Sequence, residues 1–133
     1  MIGQYRILLV EDESIICEDI KKSIDYIGLD LAGCVHSGEE ALVVIEREHP
    51  DLVLMDIVLA GRLNGIETAR LVRQRYRVPV VFLTSYSDKI TMQRAQEAEP
   101  YGYIVKPFHD EELKQVVFKA IETFQDEEID HSV

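Results

Sequence analysis

The sequence predicts an α/β fold, with a parallel sheet of five strands and helices on both of its faces. Three observations carry this. Short apolar runs without polar alternation recur along the chain, as strands buried on both sides require. Each run is followed by apolar residues at helical spacing, so strand and helix alternate five times. Polar residues follow four of the five runs, which places them at the carboxyl edge where open α/β sheets bind ligands.

Strand one is Tyr5–Val10, read as YRILLV. Helix one spans Glu13–Ile27, with Ile16, Ile20, Ile24 and Ile27 at helical spacing, and Gly28 stops it. Leu29–Val35 is a second, shorter strand. Ser37-Gly38-Glu39-Glu40 is a capping-box pattern that opens helix two, with Ala41, Leu42 and Ile45 inward, and His49-Pro50 ends it. Strand three is the unbroken apolar run Leu52–Met55, which then meets Asp56. Asn64-Gly65-Ile66-Glu67 is a second cap signal, opening helix three with Ile66, Ala69 and Val72 on one face. Strand four is Val78–Leu83, with Pro79 near its start, where proline is tolerated. Helix four, Ser87–Ala98, is the least apolar of the set, and strand five is Tyr101–Val105. Helix five runs from Asp110 to Phe124, with acids in its first turn and Leu113, Val117, Ala120, Ile121 and Phe124 inward. Residues 1–125 read as one domain and 126–133 as an acidic, frayed tail or the start of a linker.

Composition excludes several functions. The 133 residues suit one domain with one core, and no apolar run reaches membrane-spanning length. The N-terminus lacks the features of a signal peptide, so the chain is expected in the cytoplasm, with no membrane partner. A net charge of −11 argues against direct nucleic-acid binding, which needs excess Lys and Arg. Cys17 and Cys34 lack metal-type spacing and read as buried small hydrophobes rather than as a disulfide or metal pair. Arg70, Arg73, Arg75 and Arg77 read as a solvated basic end of helix three, and the four histidines show no ligand spacing.

The strand ends carry the chemistry. Strand one is followed by Glu11-Asp12, strand three by Asp56, strand four by Thr84-Ser85 and strand five by Lys106-Pro107. These sites come together when strands one, three, four and five lie side by side, with strand two outside strand one. Neighbouring strands are about 4.8 Å apart, so Lys106 starts two strands, roughly 10 Å, from Asp56 and must span that gap with its long side chain. Three converging carboxylates repel one another, each pair at about 4 Å by on the order of 4 kcal/mol at an effective dielectric of about 20. Lys106 cancels one charge. A divalent cation would relieve the rest, and oxygen-only donors favour Mg²⁺; the alternative is a carboxyl kept protonated by a raised pKa.

In this order, LLVEDE, LMDI, FLTS and YIVKPF closely resemble the receiver domain of two-component response regulators, over roughly Arg6 to Phe124. The resemblance implies a flavodoxin-like fold with strand order 2-1-3-4-5. Asp56 then matches the phosphoryl acceptor. Glu11 and Asp12 match the acidic pair that holds Mg²⁺, for which Mn²⁺ can substitute, and the backbone carbonyl of Val58 matches a third protein ligand. Thr84 matches the hydroxyl that binds the phosphoryl group, Lys106 the lysine that pairs with it, and Tyr103 the aromatic switch position. The Lys106-Pro107 bond is expected to be cis. Glu11 stands where the family more often has Asp, a longer arm expected to reach metal through water. The segment Asp56–Gly65 is one residue longer than the commonest form and lacks its usual proline.

The implied reaction is phosphoryl transfer to Asp56 from a sensor histidine kinase or a phosphotransfer protein. The implied output surface is helix four, strand five and helix five, and a homodimer through that face is one arrangement it allows. The chain is thus expected to be a phosphoacceptor rather than a turnover enzyme. A non-phosphorylated scaffold of the same fold is the alternative. A Mg²⁺-dependent phosphatase with an aspartyl nucleophile is disfavoured because Val58 stands where the second acid would be. Val58 and Tyr86, the side chains expected to flank an attacking water, are poorly suited to orienting it, which predicts a persistent aspartyl phosphate. The chain is expected either to stand alone or to be the receiver part of a longer regulator or hybrid kinase.

Overall fold

The computed structural model describes residues 4–59, 63–85 and 89–132. Strands and helices alternate as β1 (Arg6–Val10), α1 (Ser14–Tyr26), β2 (Asp30–Val35), α2 (Gly38–Glu48), β3 (Leu52–Asp56), α3 (Gly65–Arg75), β4 (Val80–Thr84), α4 (Lys89–Glu97), β5 (Gly102–Val105) and α5 (Asp110–Ser132). The five strands form one parallel sheet in the order β2-β1-β3-β4-β5, as the sequence predicts.

Period-2 alternation divides the apolar strands between two cores. Leu8, Val10, Val53, Met55, Val80 and Phe82 face one layer, with Ala41 and Ile45 of α2 and Ala69 and Val72 of α3. Ile7, Leu9, Leu52, Leu54, Val81, Leu83 and Ile104 face the other, with Ile20 and Ile24 of α1 and Leu113 and Val117 of α5. Both faces are covered, which is why the strands read as continuous apolar runs. Ser37 caps α2 by accepting from the Glu40 amide at 3.1 Å, but its hydroxyl, not its amide, meets the Glu40 carboxylate, at 3.3 Å; Asn64 and Glu67 form the full reciprocal capping box. Gly28 ends α1 at φ +85°, a conformation that favours glycine.

Two expectations are corrected. Helix five does not fray at Gln125; α5 continues to Ser132. No glycine or proline interrupts this stretch, and its side chains are tied back to the domain. Glu127 accepts a hydrogen bond from the Tyr101 hydroxyl, and Glu128 pairs with Arg77 at 3.0 Å. The cysteines, read above as separate small hydrophobes, are joined as a disulfide with a Cα–Cα distance of 6.7 Å. A register shift explains the pairing. The β1–β2 ladder slips after Ile7, so Leu8 pairs with Gly33 and Leu9 with Cys34. Without that bulge Cys34 would face the opposite layer, because a one-residue slip reverses every side chain. With it, Cys34 joins the layer that holds Cys17.

The basic end of α3 is also more than a solvated face. Arg70 pairs with Glu97, Arg73 with Glu99 and Arg77 with Glu128. No helix among the described residues is long and apolar enough to cross a membrane.

Candidate functional site

Because all five strands run the same way, their carboxyl ends share one edge. Asp56 is the last residue of β3 and Thr84 the last of β4, whereas Glu11-Asp12 and Lys106 directly follow β1 and β5. Glu11 has no exposed surface; Asp56 and Thr84 are buried, and Asp12 is exposed. One carboxylate oxygen from each of Glu11, Asp12 and Asp56 lies within 4.8 Å of the others. Lys106 bridges two of these acids, with Nζ at 3.2 Å from Glu11 Oε2 and 3.5 Å from Asp56 Oδ2. The side chain therefore closes the two-strand gap that the strand order imposes on it.

Backbone groups fix the acids. The Glu11 amide donates to Val35 O at 2.9 Å, tying the end of β1 to the end of β2. Glu11 Oε1 accepts from the Glu13 amide at 3.4 Å, at the start of α1. Asp56 Oδ1 accepts from the Val58 amide at 3.0 Å. The Lys106 amide donates to Thr84 O at 2.7 Å, and the Lys106-Pro107 peptide is cis. Gly65 lets the chain close behind Asp56: its amide donates to Ile57 O at 3.0 Å, and a Cβ there would collide with the Asp56 carbonyl and Ile57.

The Glu11 carboxyl is pushed up from its ordinary 4.5 to about 7. Burial is the largest cause, the nearby Asp56 carboxyl adds to it, and Lys106 opposes both. Lys106 thus does not offset burial and the Asp56 carboxyl at Glu11. All the side-chain donors in the cluster are oxygens, the set that hard divalent cations take. The cluster could hold a metal ion.

Of the residues singled out in the sequence, Glu11, Asp12, Asp56, Thr84 and Lys106 stand at this edge. Tyr103 lies half-buried on β5, its ring centroid 6.1 Å from that of Phe82 on β4. Burial raises its phenol above the ordinary value. Val58 is exposed and supplies an amide to Asp56, a contact that the resemblance did not name. Tyr86, the predicted start of helix four at Ser87, and residues 60–62 of the Asp56–Gly65 segment lie outside the described residues. The backbone role of Gly65 was also missed; the only hint was a glycine directly after a capping asparagine. His36, scattered in sequence, holds Nδ1 at 2.9 Å from Glu11 O and lies beside both cysteines.

Comparison with known proteins bears on the family and the fold. The response regulator receiver domain model matches residues 7–118. The transcriptional regulatory protein PdtaR of Mycobacterium tuberculosis is 32% identical over 121 residues, 91% of this chain and 58% of that protein. The chain therefore spans less than two thirds of that relative's length. Among solved structures, the signal receiver domain of a modulated diguanylate cyclase from Desulfovibrio desulfuricans G20 superposes with a TM-score of 0.89 at 33% identity, covering 94% of this chain and 99% of that one. A response regulator described as putative, from Chloroflexus aurantiacus J-10-fl, superposes with a TM-score of 0.83 at 28% identity, covering 90% and 99%.

Proposed function

The chain belongs to the family of response regulator receiver domains, and from that premise we propose that it accepts a phosphoryl group on Asp56 and signals through its α4–β5–α5 face. The donor in this reading is the phosphohistidine of a sensor histidine kinase or of a phosphotransfer protein, in the cytoplasm. The observation that carries it is Lys106, which reaches from the end of β5 to both Glu11 and Asp56 in a buried acidic site.

Each residue has a task in this reaction. An Asp56 oxygen attacks phosphorus in line; the new O–P bond forms as the N–P bond of the phosphohistidine breaks, and the freed imidazole takes a proton. The Val58 amide on Oδ1 orients the carboxylate. Lys106, now shared between two carboxylates, moves its charge onto the transferred oxygens. The Thr84 hydroxyl donates to one of those oxygens and so draws β4 toward the phosphoryl group. Glu11, Asp12, Asp56 and the Val58 carbonyl would hold Mg²⁺, or Mn²⁺ in its place. The oxygen-only donor set, three carboxylates converging within 4.8 Å of one another, supports that assignment. Bound Mg²⁺ supplies charge neutralisation of the transferring oxygens.

The aspartyl phosphate differs from the carboxylate in its contacts with Thr84 and Lys106, and only such differences can shift the fold between states. Movement of Thr84 would vacate space for the Tyr103 ring, which packs on Phe82 in this structure. The face that would respond exposes Ile90, Val105 and Phe118, apolar groups suited to a protein partner or a second copy of this chain. The domain is thereby a phosphoacceptor rather than a turnover enzyme.

The test is intact-mass labelling with acetyl phosphate. One phosphoryl group should be added with Mg²⁺, none with chelator, and none in Asp56→Asn. Labelling that survives Asp56→Asn or chelation would overturn the assignment.

A further inference from the structure

The Cys17–Cys34 bond borders the acidic site. Cys17 Sγ is 3.5 Å from the main-chain oxygen of Glu11, and the same oxygen is 2.9 Å from His36 Nδ1. The Glu11 amide is held by Val35 O. The peptide that begins the metal-site acids is thus bonded to Val35 at the end of β2 and to His36 just after it, and it touches α1 through Cys17; the disulfide links α1 and β2 covalently. The two residues differ in exposure: Cys17 is 7% exposed, whereas Cys34, on a strand at the edge of the sheet, is half-buried.

We propose that Cys17 and Cys34 are a reversible thiol–disulfide site, oxidised by a peroxide, that tightens the grip of the Glu11, Asp12 and Asp56 cluster on a divalent cation. The metal half of this statement rests on the function proposed above; the thiol half does not. In a reducing cytoplasm a disulfide is transient and serves redox sensing more often than structure. Opening one requires a sulfur that solvent thiols can reach, and Cys34 is the more exposed residue of the pair.

The chemistry balances. The Cys34 thiol attacks the peroxide, the O–O bond breaks, and Cys34 becomes a sulfenic acid as one water leaves. The Cys17 thiol attacks that sulfur; the S–S bond forms, the S–O bond breaks, and a second water leaves. Two thiols lose two electrons and two protons, and one peroxide becomes two waters. In the reverse direction a dithiol attacks the Cys34 sulfur and Cys17 leaves and takes a proton. The second sulfur of the dithiol then closes on the first and frees Cys34.

The link acts on metal binding through order. Gathering three carboxylates around a cation opposes their repulsion and requires the segment after β1 to hold still. A covalent tie between α1 and β2 removes part of that freedom beforehand, and preorganisation raises affinity.

The test uses the full chain, reduced or treated with hydrogen peroxide, with each reagent then removed. Three readouts are taken: alkylation followed by intact mass, thermal unfolding, and Mg²⁺ titration by calorimetry. The reduced protein should take two alkylating groups and the oxidised monomer none. The oxidised melting temperature should be higher by roughly 10 °C, and its Mg²⁺ affinity higher by on the order of threefold. Cys34→Ser should abolish all three responses; Cys17→Ala/Cys34→Ala serves the same purpose if the serine variant unfolds. An oxidised monomer that still takes two alkylating groups, or a disulfide that forms only between chains, overturns the proposal. So does equal Mg²⁺ affinity in the two states, or Zn²⁺ uptake by the reduced protein that blocks both thiols. Failure of the receiver function shows differently, as absent Mg²⁺-dependent labelling of Asp56 in both redox states while the alkylation and melting differences persist.

Discussion

Replacing Glu11 by Gln should change how the stability of the metal-free protein depends on pH. The Glu11 carboxyl titrates at about 7 in the folded chain against an ordinary 4.5. Its raised value means that the folded state keeps this proton over a range in which the unfolded chain has released it. Stability therefore falls as pH rises through that window, by about 1.4 kcal/mol per pH unit. The contribution is fully present below 4.5 and is lost above about 7. The whole gap corresponds to about 3 kcal/mol, a large fraction of the stability of a domain this size. Burial is the main cause, so the effect should survive moderate salt, which screens exposed charges far more than desolvation.

Gln keeps the shape of the side chain and does not titrate. Wild type and Glu11→Gln should match below about pH 4.5, where the wild-type carboxyl is protonated in both the folded and the unfolded chain. They should then diverge until the variant leads by up to about 3 kcal/mol near pH 8. Urea unfolding followed by circular dichroism, in chelator at half-unit pH steps, measures the difference directly, and the subtraction cancels the titrating groups that do not interact with Glu11. Adding Mg²⁺ at pH 8 should restore wild type more than the variant, since the cation selects the ionised carboxylate. Parallel curves from pH 5 to 8 would refute the reasoning, as would a wild type that gains on the variant with rising pH.

Further outcomes follow from the same geometry. Lys106→Met removes the group that lowers the Glu11 value, so the loss of metal-free stability should move to higher pH, and acetyl phosphate labelling should slow by on the order of tenfold or more; an unchanged labelling rate would remove Lys106 from the charge-bearing role. Gly65→Ala drives a Cβ into the Asp56 carbonyl and should cost roughly 2–3 kcal/mol by urea midpoint, and a loss under about 0.5 kcal/mol would show that the loop gives way freely. Beryllofluoride with Mg²⁺ should change hydrogen-exchange protection over residues 89–118 more than over 20–47; equal changes in the two segments would count against coupling through Thr84 and Tyr103.

What the sequence disclosed follows from the physics of a parallel sheet. Strands buried on both faces must be apolar throughout, so the first polar residue after each run marks the carboxyl edge, and Glu11, Asp12, Asp56, Thr84 and Lys106 were visible for that reason. Local caps at Ser37 and Asn64 were equally visible, because their partners lie three residues away. Lateral neighbours were not. Cys17 meets Cys34 only because a bulge in β2 reverses the face of Cys34, and nothing in the spacing of the two residues encodes that slip. The arginines of α3 read as a solvated face because Glu97, Glu99 and Glu128 belong to other elements. The extension of α5 was missed for the same reason. Its acidic composition suggested a tail, and the groups that hold it, Tyr101 and Arg77, lie far back in the chain.

Those lateral contacts bear on where a change at Asp56 would be expressed. Among the described residues, α3 buries five of its positions, including Ile66, Ala69 and Val72, whereas α4 buries only Ala95. Displacing α4 therefore exposes little apolar surface, while displacing α3 would open a core layer. The ion pairs from Arg70 to Glu97 and from Arg73 to Glu99 hold the C-terminal end of α4 and the turn after it. Their side chains are well exposed, so each is worth at most about 1 kcal/mol. The sheet beneath is different: Phe82 and Leu83 of β4 are fully buried and pair with Tyr103 and Ile104 of β5. A pull on Thr84 thus meets rigid packing below and a lightly anchored helix above. The lightly packed element next to Asp56 is α4, which makes it the element through which the proposed phosphorylation would act at least cost.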